Sequence, residues 1–470
     1  MNYFKVIGVD AASDCVNGRK VEVSFFILIS SLLMFGTVFS PFLLEVVGFE
    51  NYYDLKRFIV CFLVCTLAGF FLLSKVEVVA ICYKAKLFIF FALTAFLLSF
   101  MKSEHKYWSL VELSNYIVFF FIFLFSSSLF KCCEKERVLH GFVLSLMFFS
   151  FAFFVKYWLF LLFTVFDGRD FGIQDIVNGF FNVRFYNQIQ VVMLPLLFVA
   201  LTSEWFKRVK VVAFILISMH WAVLLQTEAR GALLSVIFSF FPLLYISKIS
   251  TEKRSLLTSF LWSILAGVFL WLVFIVSVKY FFVGGSGVDF GGGASGRLEI
   301  WLYILSVIKD NFWFGFGPMA YAWAEIKPLY NAHPHNLLFQ IFYEYGFFGL
   351  CVIFSSILLF FIPWAFDERD ERGGIDLFFV KHSIISALCY SMFSGVFVMP
   401  FSQLCFVLVM ALYVCYSDNS RPSHFQFVRY RFLSFFILFV SVLLIISSYQ
   451  DVGLKGDHVP RIWIRGLIAQ

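Results

Sequence analysis

Long apolar runs separated by short polar connections recur along the whole chain, and this pattern sets the architecture before any single residue is considered. A helix needs roughly 17 to 25 residues to cross a hydrocarbon core of about 30 Å. Runs of that kind lie near 24–44, 57–74, 84–101, 109–130, 138–166, 188–203, 211–227, 231–248, 257–282, 337–363, 379–397, 401–417 and 430–448. They predict an all-α polytopic membrane protein with about 12 to 13 transmembrane helices. One connection is different. Residues 283–336 open with the Gly-rich stretch Val283 to Gly296, flexible by composition, and change at Arg297 to a helical pattern that runs to about Asn311. That helix places Leu298, Trp301, Leu302, Leu305 and Ile308 on one side, against the membrane surface or the bundle. The chain thus divides into N-terminal transmembrane helices (1–282), a large loop with a surface helix (283–336) and C-terminal transmembrane helices (337–470), all within a single membrane domain.

Composition strengthens this reading. Of 470 residues 61% are hydrophobic and 14% charged, and 70 are phenylalanine, so the apolarity comes from bulky side chains suited to lipid. The formal charge of +6 does not imply nucleic acid as a partner, because basic residues beside membrane spans are expected from topology alone. With the N-terminus inside, alternate connections carry basic triplets such as Lys131/Lys135/Arg137, Lys207/Arg208/Lys210 and Lys248/Lys253/Arg254. The intervening connections are poorer in them, which orients the chain in a cytoplasmic membrane and places loop 283–336 outside. Lys5, Arg19 and Lys20 precede an apolar stretch too long for a cleavable signal, so the first span is expected to be retained. The ten cysteines lie mainly inside apolar runs without a Cys-x-x-Cys pair, as expected of buried free thiols rather than disulfides or metal ligands.

Charge alternation returns several polar segments to the same outer face: 184–190, 226–230, Arg297, 333–336 and 400–403. They are positioned to line one cavity. Arg230 lies in a connection so short that its flanking helices form a hairpin, and Arg297 stands in the first turn of the loop helix, where free backbone N–H groups favour an anion. Both suit a diphosphate, whose oxygens match the paired donors of a guanidinium; the alternative is a salt bridge to Glu228 or Glu299. His333 and His335, just before a membrane helix, are candidates to accept a proton from an attacking hydroxyl, or else interfacial histidines in a proline turn. Asn336, Gln340 and Glu344 recur every four residues as a polar stripe on that helix, either facing a site or bonding a neighbouring helix. No Asp-x-Asp pair, Walker loop or dinucleotide glycine motif occurs, and the two histidines lack an obvious third ligand. Neither a metal nor a nucleotide cofactor is expected.

Thr227-Glu-Ala-Arg-Gly-Ala-Leu-Leu234, Ser295-Gly-Arg-Leu-Glu-Ile-Trp301, Gly315-Phe-Gly317 and Ala332-His-Pro-His-Asn336, running on to Leu338, Gln340, Glu344, Gly346 and Gly349, resemble the shared domain of bacterial O-antigen ligases and O-antigen polymerases. Asn182 to Gln190, which includes Asn187, and Met399 to Gln403 are similar to flanking stretches in that family. The resemblance is strongest over about 180–350. It implies a membrane glycosyltransferase that takes a glycan from undecaprenyl diphosphate at the periplasmic face and passes it, with inversion, to lipid A-core or a similar acceptor. Arg230 and Arg297 would bind the diphosphate and His335 would act as base or orient the acceptor. Asn187, Trp301, His333, Asn336, Gln340, Glu344 and Gln403 would support them, His333 standing as a second candidate base. The nearest competing reading is a polymerase joining repeat units on the same carrier; a protein-glycosylating relative and a polysaccharide transporter stand further off.

Overall fold

A computed structural model describes residues 11–49, 51–73, 83–168, 177, 179–246, 253–278, 280–281, 296–324, 326–329, 331–362, 374–416, 427–449 and 461–463. The Gly-rich stretch before Gly296 lies outside them. The described residues form helices α1 (Ala11–Leu33), α2 (Ser40–Val47), α3 (Tyr52–Leu73), α4 (Tyr83–Lys102), α5 (Lys106–Lys131), α6 (Lys135–Phe166), α7 (Val183–Leu197), α8 (Val199–Thr202), α9 (Lys210–Gln226), α10 (Arg230–Ile246), α11 (Lys253–Leu270), α12 (Arg297–Val307), α13 (Ala320–Trp323), α14 (Leu337–Ser356), α15 (Gly374–Ser391), α16 (Pro400–Tyr416) and α17 (Phe427–Ser448). No strand occurs among them, and the protein is an all-α polytopic membrane protein.

Each predicted apolar run falls on a helical stretch, but not every one is a full span. Among the described residues eight helices are long and apolar enough to cross a membrane. The first predicted run is instead a pair, Glu22–Val38 and Ser40–Val47, bent by 80°. The runs near 231–248, 379–397, 401–417 and 430–448 fall on α10, α15, α16 and α17, helices of 17, 18, 17 and 22 residues that the count of eight does not include. Cysteine burial also differs from expectation: Cys61 and Cys405 are buried, whereas Cys65, Cys132 and Cys351 are exposed.

At the centre stands α7, which packs on α15, α16, α10, α9 and α6. Its Asn187, Gln188 and Gln190 are fully enclosed. Buried amides persist in such a place only when bonded: Gln190 Nε2 donates to the His220 carbonyl (2.8 Å), and Asn187 and Gln188 bond to neighbouring elements as described below. Helices α3, α5, α16 and α17 form a second packed group, while α4 and α14 pair at the periphery. Helix α12 begins at Arg297 as predicted, and a 3-10 turn extends it over Ile308–Asn311. Its apolar row, however, is split. Ile300, Ile304 and Ile308 are buried against the protein, whereas Leu298, Leu302 and Leu305 remain 60%, 56% and 45% exposed. The helix is apolar on two sides, one for the protein and one turned away from it.

Helix α14 is broken at Gly346, whose φ of 65° and ψ of −164° are available only to glycine. The chain after α12 fills the break. Phe316 N–H donates to Tyr343 O (2.9 Å) and Gly317 N–H to Glu344 O (3.0 Å), while Phe347 N–H donates to Phe312 O (2.8 Å) and Phe348 N–H to Trp313 O (3.1 Å). These bonds satisfy the backbone groups that the break releases, as an apolar setting demands. The approach is so close that a Cβ on Gly346 would lie 2.5 Å from Phe314 N, and one on Gly315 2.4 Å from the carbonyl carbon of Glu344.

Candidate functional site

The hairpin between α9 and α10 carries Arg230. Its entry is fixed from α7: Asn187 Nδ2 donates to Thr227 Oγ1 (3.0 Å) and Arg184 Nη1 to the Thr227 carbonyl (2.9 Å). Asn182 starts α7 properly by accepting from Arg184 N–H, so the residue that caps the helix also sets the arginine's direction. Glu228 sits at φ 51°, an uncommon conformation for a side chain of its kind, which turns the chain tightly enough for Arg230 to open α10 with its side chain exposed. Behind it, Gly231 faces Phe393 and Tyr390 at 3.1 and 3.4 Å from where a Cβ would stand.

Arg297, half-buried at the first position of α12, faces the same residues. Burial lowers its pKa, the Tyr390 side chain opposes that shift and the cationic Arg184 adds to it, so all three groups share one environment. Among the described residues Arg297 has no ion pair with a carboxylate, and the expected alternative of a bridge to Glu299 is not formed. Two guanidinium groups near enough to influence each other, with no carboxylate paired to Arg297 among the described residues, make a site of positive potential suited to an anion.

The histidines lie beside it. His335 adopts φ 54°, and its backbone N–H donates to His333 Nδ1 (3.2 Å), with the two rings 4.2 Å apart. Since Nδ1 of His333 accepts there, its proton resides on Nε2. His333 is buried against Gly395, where a Cβ would lie 2.6 Å from its ring. Trp301 stacks on Phe339 at 5.3 Å and donates Nε1–H to the Pro334 carbonyl (3.1 Å), clamping the turn between the histidines. Asn336 caps α14 by accepting from Leu338 and Phe339 N–H and donates Nδ2 to Met392 O (3.0 Å). Burial first, and then the Arg297 charge, pushes the His335 pKa down to about 4. His333 is held well below its ordinary value by burial first, then by electrostatic coupling to His335 and by the Arg461 and Arg297 cations. Both imidazoles are neutral near pH 7. His333 is a buried brace, whereas His335 is half-buried and carries the conformational strain often found at functional sites.

Residues 392–403 close the site from below. Ser394 accepts from Gln188 (2.9 Å), which in turn accepts from Ser402 (3.2 Å), and Gln403 accepts from Arg57 (3.3 Å) while donating to Phe397 O (2.5 Å). The predicted residues therefore sort into groups. Arg297 acts electrostatically on His335, and the Arg230 hairpin adjoins Tyr390 through Gly231; Asn187, Trp301, His333, Asn336 and Gln403 hold the backbone around them. Gln340 is buried. Glu344, expected on the polar stripe, is fully buried and forms an ion pair with Arg461. Sequence reasoning gave no role to Arg184, Tyr390, Arg57, Glu112 or Arg461. Arg184 lay within a segment already marked as polar and external, and the position next to its cap was the available signal. No group of three or more metal-ligating side chains occurs among the described residues.

Residues 212–354 match a protein family described as O-antigen ligase. That span contains Arg230, Arg297, His333, His335, Asn336 and the interlocked glycines, while Arg184, Asn187, Tyr390 and Gln403 lie outside it. No curated protein matches the chain.

Proposed function

We propose that the chain, whose residues 212–354 match the O-antigen ligase family, transfers a glycan from undecaprenyl diphosphate to lipid A-core or a similar acceptor at the periplasmic face of the inner membrane. Arg297 and Arg230, joined by Arg184, hold the donor diphosphate. The acceptor hydroxyl gives its proton to His335 as its oxygen bonds the anomeric carbon. The bond from that carbon to the diphosphate breaks, and the leaving diphosphate departs with the electron pair, stabilised by the guanidinium groups. Displacement from the opposite face inverts the anomeric centre. The donor bond is already activated, so neither nucleotide nor metal is called for. The observation that supports this reading is that α12, which opens with Arg297, is clamped by Trp301 to the Pro334 carbonyl between the histidines, with the Arg297 charge acting on His335 and on Arg184. A bound diphosphate offsets the Arg297 charge and so raises the His335 pKa from about 4 toward the working range of a base.

The test is the lipopolysaccharide banding pattern of a deletion strain complemented with wild type, Arg297→Ala and His335→Ala. Loss of all polymer from lipid A-core, with long chains retained on the carrier lipid, is expected of the deletion and of both variants. A single repeat unit still attached to the core identifies a polymerase instead, and an unchanged pattern sinks the reading.

A further inference from the structure

A buried charge network outside the arginine–histidine site has no part in the chemistry just described. Arg461, 3% exposed, enters the bundle from the C-terminal segment. It grips Glu344 with two parallel bonds (2.5 and 2.7 Å) and bonds Glu112 through Nη2 (2.9 Å). Tyr116 on α5 donates to the same Glu112 oxygen (2.6 Å). The segment is seated by its neighbours: Trp463, also buried, donates to Ser448 Oγ (2.8 Å) and packs on Phe58 and Tyr449. Charge alternation puts the C-terminus on the outer side, where α3 and α5 begin and the candidate site lies.

Both ends of Arg461 lead to the site. Its guanidinium holds Glu344, whose own carbonyl receives Gly317 N–H and Ser99 Oγ–H (2.5 Å); this is the last turn of α14 before the break, two turns below the cap at Asn336. Its backbone carbonyl accepts from Tyr53 Oη, which also reaches Val398 O (3.4 Å) and accepts from Arg57 (3.3 Å). Arg57 in turn bonds Val398 O, Gln403 and Asn115. One residue therefore touches the helix that presents His335 and, through Tyr53 and Arg57, the 392–403 segment on which His333 rests. A buried ion pair adds little net stability over an apolar equivalent, so its presence calls for another explanation, and register is the best-attested one.

We propose that Arg461 is a positioning residue for glycosyl transfer, bracing the α14 start and the 392–403 segment so that His335 and Arg297 keep their mutual geometry. This rests on the function proposed above. A displacement of about 1 Å at reacting groups costs roughly 100-fold in rate. Two variants in purified, lipid-embedded full-length protein test it. Arg461→Met/Glu344→Met/Glu112→Gln removes all three buried charges together and keeps an amide oxygen at position 112 to accept from Tyr116, and Arg461→Lys keeps the charge but loses the fork. Expected for both are a near-wild-type melting temperature, amide exchange about tenfold faster in 331–345 and 392–403, and kcat lowered about 10- to 100-fold with donor KM within about threefold. Wild-type kcat in either folded variant overturns the proposal, as does unchanged exchange in those two segments. If the triple variant does not accumulate, Arg461→Lys alone decides by the same readings. Exchange needs no substrate, so a wild-type protein that transfers no glycan refutes the proposed function while the bracing remains separately measurable.

Discussion

Replacing Gly346 by alanine asks whether the break in α14 is an interlock or only a bend. Alanine at φ 65°, ψ −164° occupies a region reserved for glycine, at a cost of about 1–3 kcal/mol. The added methyl would stand 2.5 Å from Phe314 N and from the carbonyl carbon of Trp313. Both neighbours are backbone atoms, so relief requires moving the 312–317 segment, which donates or accepts four backbone bonds across the break. Losing part of that set, at about 1 kcal/mol net each, brings the total to roughly 3–5 kcal/mol. Gly315→Ala presses on the same contact from the other side, 2.4 Å from the Glu344 carbonyl carbon. The double variant should then cost clearly less than the sum of the two singles, because the second methyl finds the interlock already open. Gly141→Ala is the control: it lies within α6, nothing stands within 4 Å of its added methyl, and a slight gain in stability is expected. Thermal melts read with a thiol-reactive dye would follow exposure of the buried Cys61 and Cys405. A drop of several degrees is expected for each interlock variant. A melting point indistinguishable from wild type for Gly346→Ala, or strict additivity with Gly315→Ala, refutes the interlock.

Other outcomes follow from the site. His335 must be neutral to accept a proton and titrates at about 4 before donor binds, so kcat/KM should stay level as pH falls through 6.5 and decline only near that lower value. Arg297→Gln removes a cation that lowers this pKa, and the acid limb should move upward in pH; a limb at 6.5 in the wild type would contradict the burial described. Arg297→Ala should lower kcat by about 10²–10³-fold in a purified transfer assay, the scale for losing one donor to a developing anion, with the melting temperature retained because Arg297 has no ion pair to lose among the described residues. Arg297→Lys should recover only part of that rate, since a single ammonium does not reproduce the fork. Extensive treatment with EDTA should leave the transfer rate unchanged, and a rate restored only by added divalent ion would contradict the absence of a metal step.

The helical framework was legible because apolar length is a local property: every predicted run lands on helix, and Arg297 opens α12 where glycine gives way to a periodic pattern. The turn chemistry at Thr227–Arg230 and His333–Asn336 was equally local, so the arginines and histidines could be named from short motifs. What periodicity missed is instructive. In α12 leucines and isoleucines occupy opposite sides, and with lipid nearby both sides are apolar, so the pattern did not say which one packs inward; Ile300 and Ile304 do, Leu298 and Leu302 do not. The break at Gly346 has its cause in a segment some thirty residues earlier. Glu344 and Arg461 are separated by 117 residues, and a buried carboxylate looks the same in sequence whether it meets a substrate or a distant arginine. Arg184 was visible as a polar residue beside a cap but became a site residue only once α7 was placed under the α9–α10 hairpin.

The four bonds across the α14 break also divide the site mechanically. They tie the chain that leaves α12 to the helix that follows the histidines, so Arg297 and His335 ride on one clamped unit, while Arg184, Arg230 and Tyr390 belong to α7, α10 and α15. Relative motion between the two would change the width of the gap between guanidinium groups and leave the arginine–histidine spacing within the clamped unit intact. On the function proposed above, such a pair of jaws would admit glycans of different bulk without retuning the proton acceptor, which would let evolution alter what is carried separately from how the bond is made.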